Sequence, residues 1–516
     1  MIWLIVLAVV VAVLVVLAVI DLVQVRHAIR RNFPLVGRLR YVLERIGPEL
    51  RQYIVTDNDE ERPFSRDQRR WVYASSKRAN PYFGFGTDNT MASPQYVLIR
   101  HSPFPYQAPA AASNGTGPGP HHATGGEDPA PIPSAKVLGE WRQRRQAFRP
   151  ASIVNISAMS YGSLSSHAVE ALNRGAALAG CLQNTGEGGI SPFHLKGGEL
   201  IFQLGTGYFG ARNATGRFDL DLLVQKSQQL PIRAIEIKLS QGAKPGLGGV
   251  LPAAKVTPDI AAIRGVEVGV TVASPSRHRE FDSVPSMVAF IERLADATGL
   301  PVGIKSAVGQ RAFWAELADE MKRTGHGPDF ITIDGGEGGT GAAPLVFSDN
   351  VSLPFRQGFA EVYRTFATRH MHDKVTWIGS GKLGFPGDAL LAMVLGVDMI
   401  NVAREAMLSI GCVQAQKCHT GHCPTGVATQ SKWLMRGLDP TDKAARAANY
   451  IMALRHDLLA LAHACGQPHP SLVGGDAIDV LIDGTTVVPL WDQFGYDPAW
   501  RKAQPSATGG VGVPTG

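Results

Sequence analysis

Cysteine is scarce in this chain, with five among 516 residues, and two of them, Cys181 and Cys465, stand alone. That spacing does not make a secreted disulfide framework and points to a reducing compartment. A nucleic-acid signature is missing too. The net charge is only +6, and the basic residues are not interleaved with aromatics as a nucleic-acid groove requires. The 57 glycines and 34 prolines follow no collagen-like period, and a hydrophobic content of 45% argues against global disorder. A P-loop is excluded, because Lys382 in the run GSGKLG is followed by Leu383 rather than Ser or Thr. The length leaves room for two to four ordinary domains, or for one barrel of about 250 residues with additions.

The first twenty residues, MIWLIVLAVVVAVLVVLAVI, carry no charge. As a helix rising about 1.5 Å per residue they cover about 30 Å, the thickness of bilayer hydrocarbon. The reading is a transmembrane helix over 1–21. A cleaved signal peptide needs a positive n-region, and no charge precedes this run. Arg26, Arg30, Arg31, Arg38 and Arg40 follow it, with no acidic residue between Leu22 and Leu43. The positive-inside rule then places the bulk of the protein in the cytoplasm, on a single-pass anchor in a bacterial-type cytoplasmic membrane. Residues 22–101 are Arg-rich and are assigned no chemistry; such a face beside a membrane meets lipid headgroups more often than substrate. Residues 102–149 are a connector that opens with a Pro/Gly/Ala/Ser-rich flexible insertion. His121 and His122 within it read as solvated loop histidines.

From residue 150 the pattern changes to eight short β-prone runs, at 153–159, 181–185, 201–205, 234–239, 302–307, 330–334, 375–379 and 399–403, mostly separated by helix-prone segments. Strands alternating with helices imply a parallel sheet, and eight of them fit a (β/α)8 TIM barrel over 150–435, with 436–516 as a C-terminal extension. An open doubly wound sheet is the alternative. In a barrel the active site lies at the C-terminal ends of the strands. Polar residues gather there: Ser157 and Ser160, Asn184 with Glu187, Gln203, Glu236 with Lys238, Lys305, and Asp334 with Glu337. Charges inside short apolar strands are costly unless paired or used. An ammonium beside the pyrimidine edge of a flavin has such a use, because it stabilises the reduced anion; pairing with a neighbouring carboxylate is the plain alternative.

Three stretches match G-x-G-x-x-G, at 205, 336 and 379, and three matches in one chain show how weak that pattern is. The second and third follow the sixth and seventh runs. Gly-rich turns there, with helix N-termini behind them, make an anion site, so a mononucleotide phosphate is expected at the stretches that begin at Gly336 and Gly379. The stretch at 205 reads as a turn. Beyond the eighth run, GCVQAQKCHTGHCPTGVATQ holds Cys412, Cys418 and Cys423. Three thiolates among Gly and Pro breakers suit a three-iron or an open four-iron centre. Zinc, with His419 or His422 as a fourth ligand, stays open, as do three unlinked thiols.

Taken together, NISAMSYGSLS at 155, NTGEGG at 184, EIKLSQGAKPGLGGVLPAAKV at 236, GGTGAAP at 338 and CPTGVATQ at 423 resemble the FMN-binding synthase domain of glutamate synthases. The resemblance covers about residues 150–435. It implies a barrel holding FMN and a three-iron (3Fe-4S) cluster, with Cys412, Cys418 and Cys423 as cluster ligands, and it disfavours zinc. It further implies reductive amination of 2-oxoglutarate, through 2-iminoglutarate, to L-glutamate. Lys305 would sit by flavin and oxoacid, and Glu187 at the reacting centre as proton donor or acceptor. Gly339, Gly381, Ala403 and Arg404 would hold the FMN phosphate. The expected flavin site comprises Ser160, Asn184, Gln203, Lys238, Lys305, Asp334, Gly335, Gly339, Gly381, Lys382, Ala403 and Arg404.

Full-length members of that family open with an amidotransferase domain whose nucleophile is an N-terminal cysteine, whereas this sequence opens with Met1 and an apolar run. Ammonia is therefore expected from solution or from a separate amidotransferase subunit. Electrons are expected from a ferredoxin or an NAD(P)H-oxidising subunit. An N-methylglutamate synthase-type subunit, a membrane-tethered electron-transfer module and an FMN barrel of the 2-hydroxyacid oxidase kind are the competing readings.

Overall fold

The computed structural model describes residues 2–24, 28–50, 55, 60–79, 84–107 and 131–500. His121, His122 and most of the Pro/Gly-rich insertion lie outside the described residues. The chain divides into two units, Met1–Gln68 and Arg69–Gly516.

In the first unit, α1 (Ile2–Val23) is apolar on every side and buries none of its apolar stretch, and among the described residues it alone is long and apolar enough to cross a membrane. α2 (Ala28–Asn32) and α3 (Val36–Leu50) follow. Asp21, near the end of α1, is fully buried. Its carboxylate accepts from Arg30 Nη2 at 2.9 Å, from Arg38 Nε at 2.7 Å and from the Leu35 N–H at 3.1 Å. One acid thus ties three helical segments together, and two arginines expected at lipid headgroups have an internal partner.

In the second unit the alternating runs close into a barrel of eight parallel strands. They are β1 (Val154–Ile156), β2 (Gln183–Asn184), β3 (Leu200–Leu204), β4 (Ile232–Lys238), β5 (Val302–Ser306), β6 (Phe330–Asp334), β7 (Thr376–Ser380) and β8 (Met399–Val402). Every expected run overlaps one of them. They follow chain order round the barrel, and β8 pairs β1 through Ile400 and Val154. An open sheet is thereby ruled out. Parallel strands covered on both faces are nearly all apolar; here the exceptions cluster toward the C-terminal ends.

Two boundaries differ from the sequence reading. α4 (Ser166–Ala179) starts where Ser165 Oγ accepts the Ala168 N–H at 3.1 Å and stops at Gly180 in the left-handed region. Its partner is α5 (Pro440–Ala464), the long helix after the cysteine segment, which completes the barrel wall beyond residue 435. A Cβ on Gly175 would come within 2.7 Å of Ala447 Cβ, so glycine there lets the two helices approach closely. In addition, Val97–Ile99, from the Arg-rich region, pairs with Ile478–Leu481, which pairs with Val487–Pro489. Residues 97–99 and 478–489 thus form one small sheet within the second unit.

The N-terminal end of the barrel is plugged. Leu138 and Phe148 exchange backbone hydrogen bonds at 2.9 and 3.2 Å, and Leu138 packs on Leu182, Ile201, Ala234, Phe330, Ile378 and Met399. Arg144 anchors the plug through Glu292 at 2.6 Å and Asp329 at 3.0 Å. Leu138→Ala leaves a void at the barrel floor and is expected to lower the unfolding free energy by about 3 kcal/mol, measured by denaturant titration.

Candidate active site

Glu236 on β4 is fully buried inside the barrel. A lone buried carboxylate is costly unless donors surround it, and three strands supply them. Oε1 accepts from Asn184 Nδ2 at 2.8 Å and from Gln203 Nε2 at 2.7 Å, and Oε2 accepts from Thr332 Oγ1 at 2.7 Å. Asn184 and Gln203, expected to face a flavin, thus turn their amide donors onto Glu236. Asn184 Oδ1 accepts the Gly186 N–H at 3.0 Å and so shapes the NTGEGG turn.

Nearer the barrel mouth, Lys238 on β4 and Lys305 on β5 are register partners. Lys238 Nζ donates to Glu187 Oε1 at 2.8 Å and to Gln241 Oε1 at 2.7 Å. Lys305 Nζ lies 3.4 Å from Asp334 Oδ2, which also accepts the Gly242 N–H at 3.0 Å. Burial lowers the Lys305 pKa, but the carboxylates of Asp334, Glu236 and Glu187 outweigh it, so the ammonium keeps its proton. Burial raises Glu187, and Lys238, with smaller help from Lys244 and Arg264, brings it below the usual carboxylate value. Glu187 is therefore ionised at neutral pH.

Sequence reasoning does not single out three further residues here. Lys244 is 5% exposed, and its ammonium reaches only the Gly248 carbonyl, at 3.3 Å, among the described residues. Arg264 donates to the Tyr161 carbonyl at 3.1 Å and covers the Phe209 ring at 5.2 Å; burial pushes it down to about 10. His278 bridges Tyr208 Oη at 3.1 Å and the Lys238 carbonyl at 2.9 Å. Tyr208 and Phe209 belong to the stretch at 205, so that turn also walls the site. Lys244 sits within the long motif at 236, which is the one signal that could have flagged it. After β4 a small hairpin, Val250–Leu251 with Val272–Ala273, brings the Gly249 backbone against Glu187.

The expected phosphate residues come together after β6, β7 and β8. The Gly335 N–H donates to the Ser380 carbonyl at 2.8 Å. Gly381 has φ +133, a conformation that favours glycine, and Lys382 follows at φ 59. Ala403 caps the short helix Arg404–Ser409, and the Arg404 side chain lies along Gly339 and donates to the Glu337 carbonyl. The N–H groups of Gly339 and Gly381 have no acceptor among the described residues. A guanidinium beside free amides fits a phosphate, and the lysines at the mouth fit the flavin ring, so the residues suit FMN. Ser160, by contrast, bonds Ser163 Oγ at 3.1 Å in the loop after β1.

Cys412 and Cys418 are partly buried, Cys423 is buried, and none forms a disulfide. Burial pushes the Cys412 thiol up to about 12, and burial, followed by the charge of Cys423, raises Cys418. His419 and His422 are exposed, and among the described residues no three His, Cys, Asp or Glu side chains gather closely enough to hold a metal. The donor set, three soft thiols on one loop, is nevertheless of the kind an iron–sulfur centre uses. Tyr73 Oη donates to the Cys412 carbonyl at 2.7 Å, and the Trp71 ring lies 6.0 Å from both Phe385, tilted, and Tyr450, edge-on. The region left without chemistry in the sequence therefore supplies a wall of the cysteine loop.

Fold and site define a closed α/β barrel with a charged mouth, an anion cradle after the late strands and a thiol loop behind the last one. A family model described as the conserved region in glutamate synthase matches residues 134–468. The chain is 40% identical over 467 residues to the glutamate synthase large subunit-like protein YerD of Bacillus subtilis, covering 87% of this chain and 88% of that one. It is 36% identical over 309 residues to the archaeal-type glutamate synthase (NADPH) of Thermotoga neapolitana, covering 59% of this chain and 57% of that one. The large chain of NADPH glutamate synthase from Bacillus subtilis matches at 34% over 289 residues, 54% of this chain and 18% of that one. The chain belongs to the glutamate synthase family, and with it to the oxidoreductases acting on CH–NH2 donors.

The Lys238–Glu187 pair gives the site a pH signature. A carboxyl lowered in the fold contributes stability that is fully present above its unfolded value of 4.5 and is lost as the pH falls through the lower folded value. Lys238→Met leaves the half-buried Glu187 without its main partner and is expected to cost about 2 kcal/mol at pH 7. Urea unfolding repeated at falling pH should show the gap from wild type narrowing as the pH falls toward and through 4.5; a gap independent of pH would count against the pair.

Proposed function

We propose that this chain is an FMN- and iron–sulfur-dependent enzyme that reductively aminates 2-oxoglutarate, through 2-iminoglutarate, to L-glutamate, using ammonia from solution or from a partner subunit. The observation that carries the reading is the charged mouth, where an ionised Glu187 sits on Lys238 while Lys244 stays buried with hydrogen-bond donors to spare. A dicarboxylate oxoacid needs such cations, and an imine needs a nearby proton donor and acceptor. Bound FMN supplies the hydride, and a cluster on Cys412, Cys418 and Cys423 supplies single electrons from a ferredoxin or an NAD(P)H-oxidising partner.

The chain's own residues do the remaining work. Lys244 and Lys305 hold substrate carboxylates, and the Lys305 charge also favours a reduced flavin ring. Glu187 takes a proton from the incoming ammonium at its free Oε2 side and returns one to the substrate nitrogen. The hairpin over Gly249 keeps water from the imine, which would otherwise revert to the oxoacid. Arg404, Gly339 and Gly381 hold the phosphate. α1 anchors the chain in a bacterial-type cytoplasmic membrane with the barrel in the cytoplasm.

In an anaerobic test the purified protein is reduced, mixed with 2-oxoglutarate and ammonium, and followed by its flavin spectrum. Reoxidation with formation of L-glutamate is expected, and Glu187→Gln should slow it by about 100-fold or more. A flavin that stays reduced sinks the reading; reoxidation with methylamine in place of ammonium, and not with ammonium, transfers it to N-methylglutamate synthesis. For the anchor, washing cell membranes with alkaline carbonate is expected to leave the chain in the pellet, and release into the wash removes the membrane-spanning assignment.

A further inference from the structure

Lys255 is 3% exposed, in the loop after β4 and under the cysteine segment. Its ammonium donates all three hydrogens to backbone carbonyls, to Cys418 at 2.8 Å, to Ala428 at 3.1 Å and to Ser163 at 3.3 Å. Among the described residues no carboxylate pairs with it. Two strand-end lysines show the contrast: Lys238 has Glu187 at 2.8 Å and Lys305 has Asp334 at 3.4 Å. A buried ammonium without a counter-ion is costly, and the segment it holds through the Cys418 and Ala428 carbonyls is the one that carries Cys418 and Cys423. Cysteines bind metal as thiolates, so a loaded loop brings negative charge to this cation.

We infer that Lys255 is a positioning residue for the iron–sulfur centre: it staples the cysteine segment to the loop after β1, and its fixed charge offsets the negative charge of a cluster held by the three cysteines. The inference rests on the cluster assigned under Proposed function. A second tie runs in parallel, where Gln430 Nε2 donates to the carbonyls of Gly162 at 3.2 Å and Leu164 at 2.9 Å. Ser163 in turn bonds Ser160, so the staple joins the thiol loop to the wall of the flavin site. A cation next to an anionic cluster favours the reduced form, whose charge is more negative.

The test uses the full chain with Lys255→Gln and Lys255→Arg, loaded anaerobically with ferrous iron and sulfide. Iron, sulfide and flavin per chain are counted, and the fraction of oxidised cluster is read by electron paramagnetic resonance at a fixed potential. Lys255→Gln is expected to lose half or more of its iron. What remains should shift about tenfold toward the oxidised cluster, equivalent to about 59 mV for one electron. Lys255→Arg should stay within twofold of wild type in both, and flavin content should be unchanged. Wild-type iron content and potential in Lys255→Gln overturn the inference while leaving the cluster assignment standing. A wild-type chain that takes up no iron overturns both. Should the Gln variant also lose flavin, the Arg variant decides alone: flavin retained with half the iron gone shows that the charge is not what the loop needs.

Discussion

The structure depends on a single buried carboxylate. Glu236 sits inside the barrel with no solvent access, and its charge is held by neutral donors on β2, β3 and β6 together with the field of Lys305. Those donors come from strands far apart in sequence, so Glu236 is satisfied only once the barrel has closed. It also accounts for the layer above it. Lys305 keeps its proton partly because of Glu236, and Asn184, held by Glu236 at one end, shapes with its other end the turn that presents Glu187.

The mouth of the barrel is a set of cations with unequal compensation. Among the described residues Lys238 and Lys305 each have a carboxylate, Lys244 has one weak carbonyl contact and Lys255 has three carbonyls and no acid in contact. Compensated cations are held in place whether or not a ligand binds. The under-compensated ones sit at the barrel mouth, for Lys244, and under the thiol loop, for Lys255. Circular closure puts the two places side by side, because β8 pairs with β1 and so sets the cysteine segment against the loop that carries Ser160 and Ser163.

Much of this was legible in the chain itself. Eight β-prone runs map onto eight strands because short buried parallel strands are apolar and end in polar residues, a pattern that survives any choice of partner. The late Gly-rich turns and the three cysteines were visible for the same reason, since each is a local run of unusual residues. Pairing was not legible. The spacing of Asn184 and Gln203 marked them as strand-end polar groups, but nothing in it says that both face Glu236 rather than a ligand. The last barrel helix was missed because it lies behind the cysteine loop, away from the repeating strand and helix rhythm.

By itself, then, the sequence determined the number and order of the strands, the end of the barrel that carries chemistry, the apolar N-terminal helix and the family. Tertiary structure alone decided which charge meets which. It gave Asp21 its two arginines, turned Tyr73 onto the thiol loop and, among the described residues, left Lys244 and Lys255 buried with no carboxylate in hydrogen-bond contact. The physical reason is that hydrophobic periodicity is local, whereas the energy of a buried charge depends on every neighbour within several ångströms, and those neighbours are brought together only by closure of the barrel.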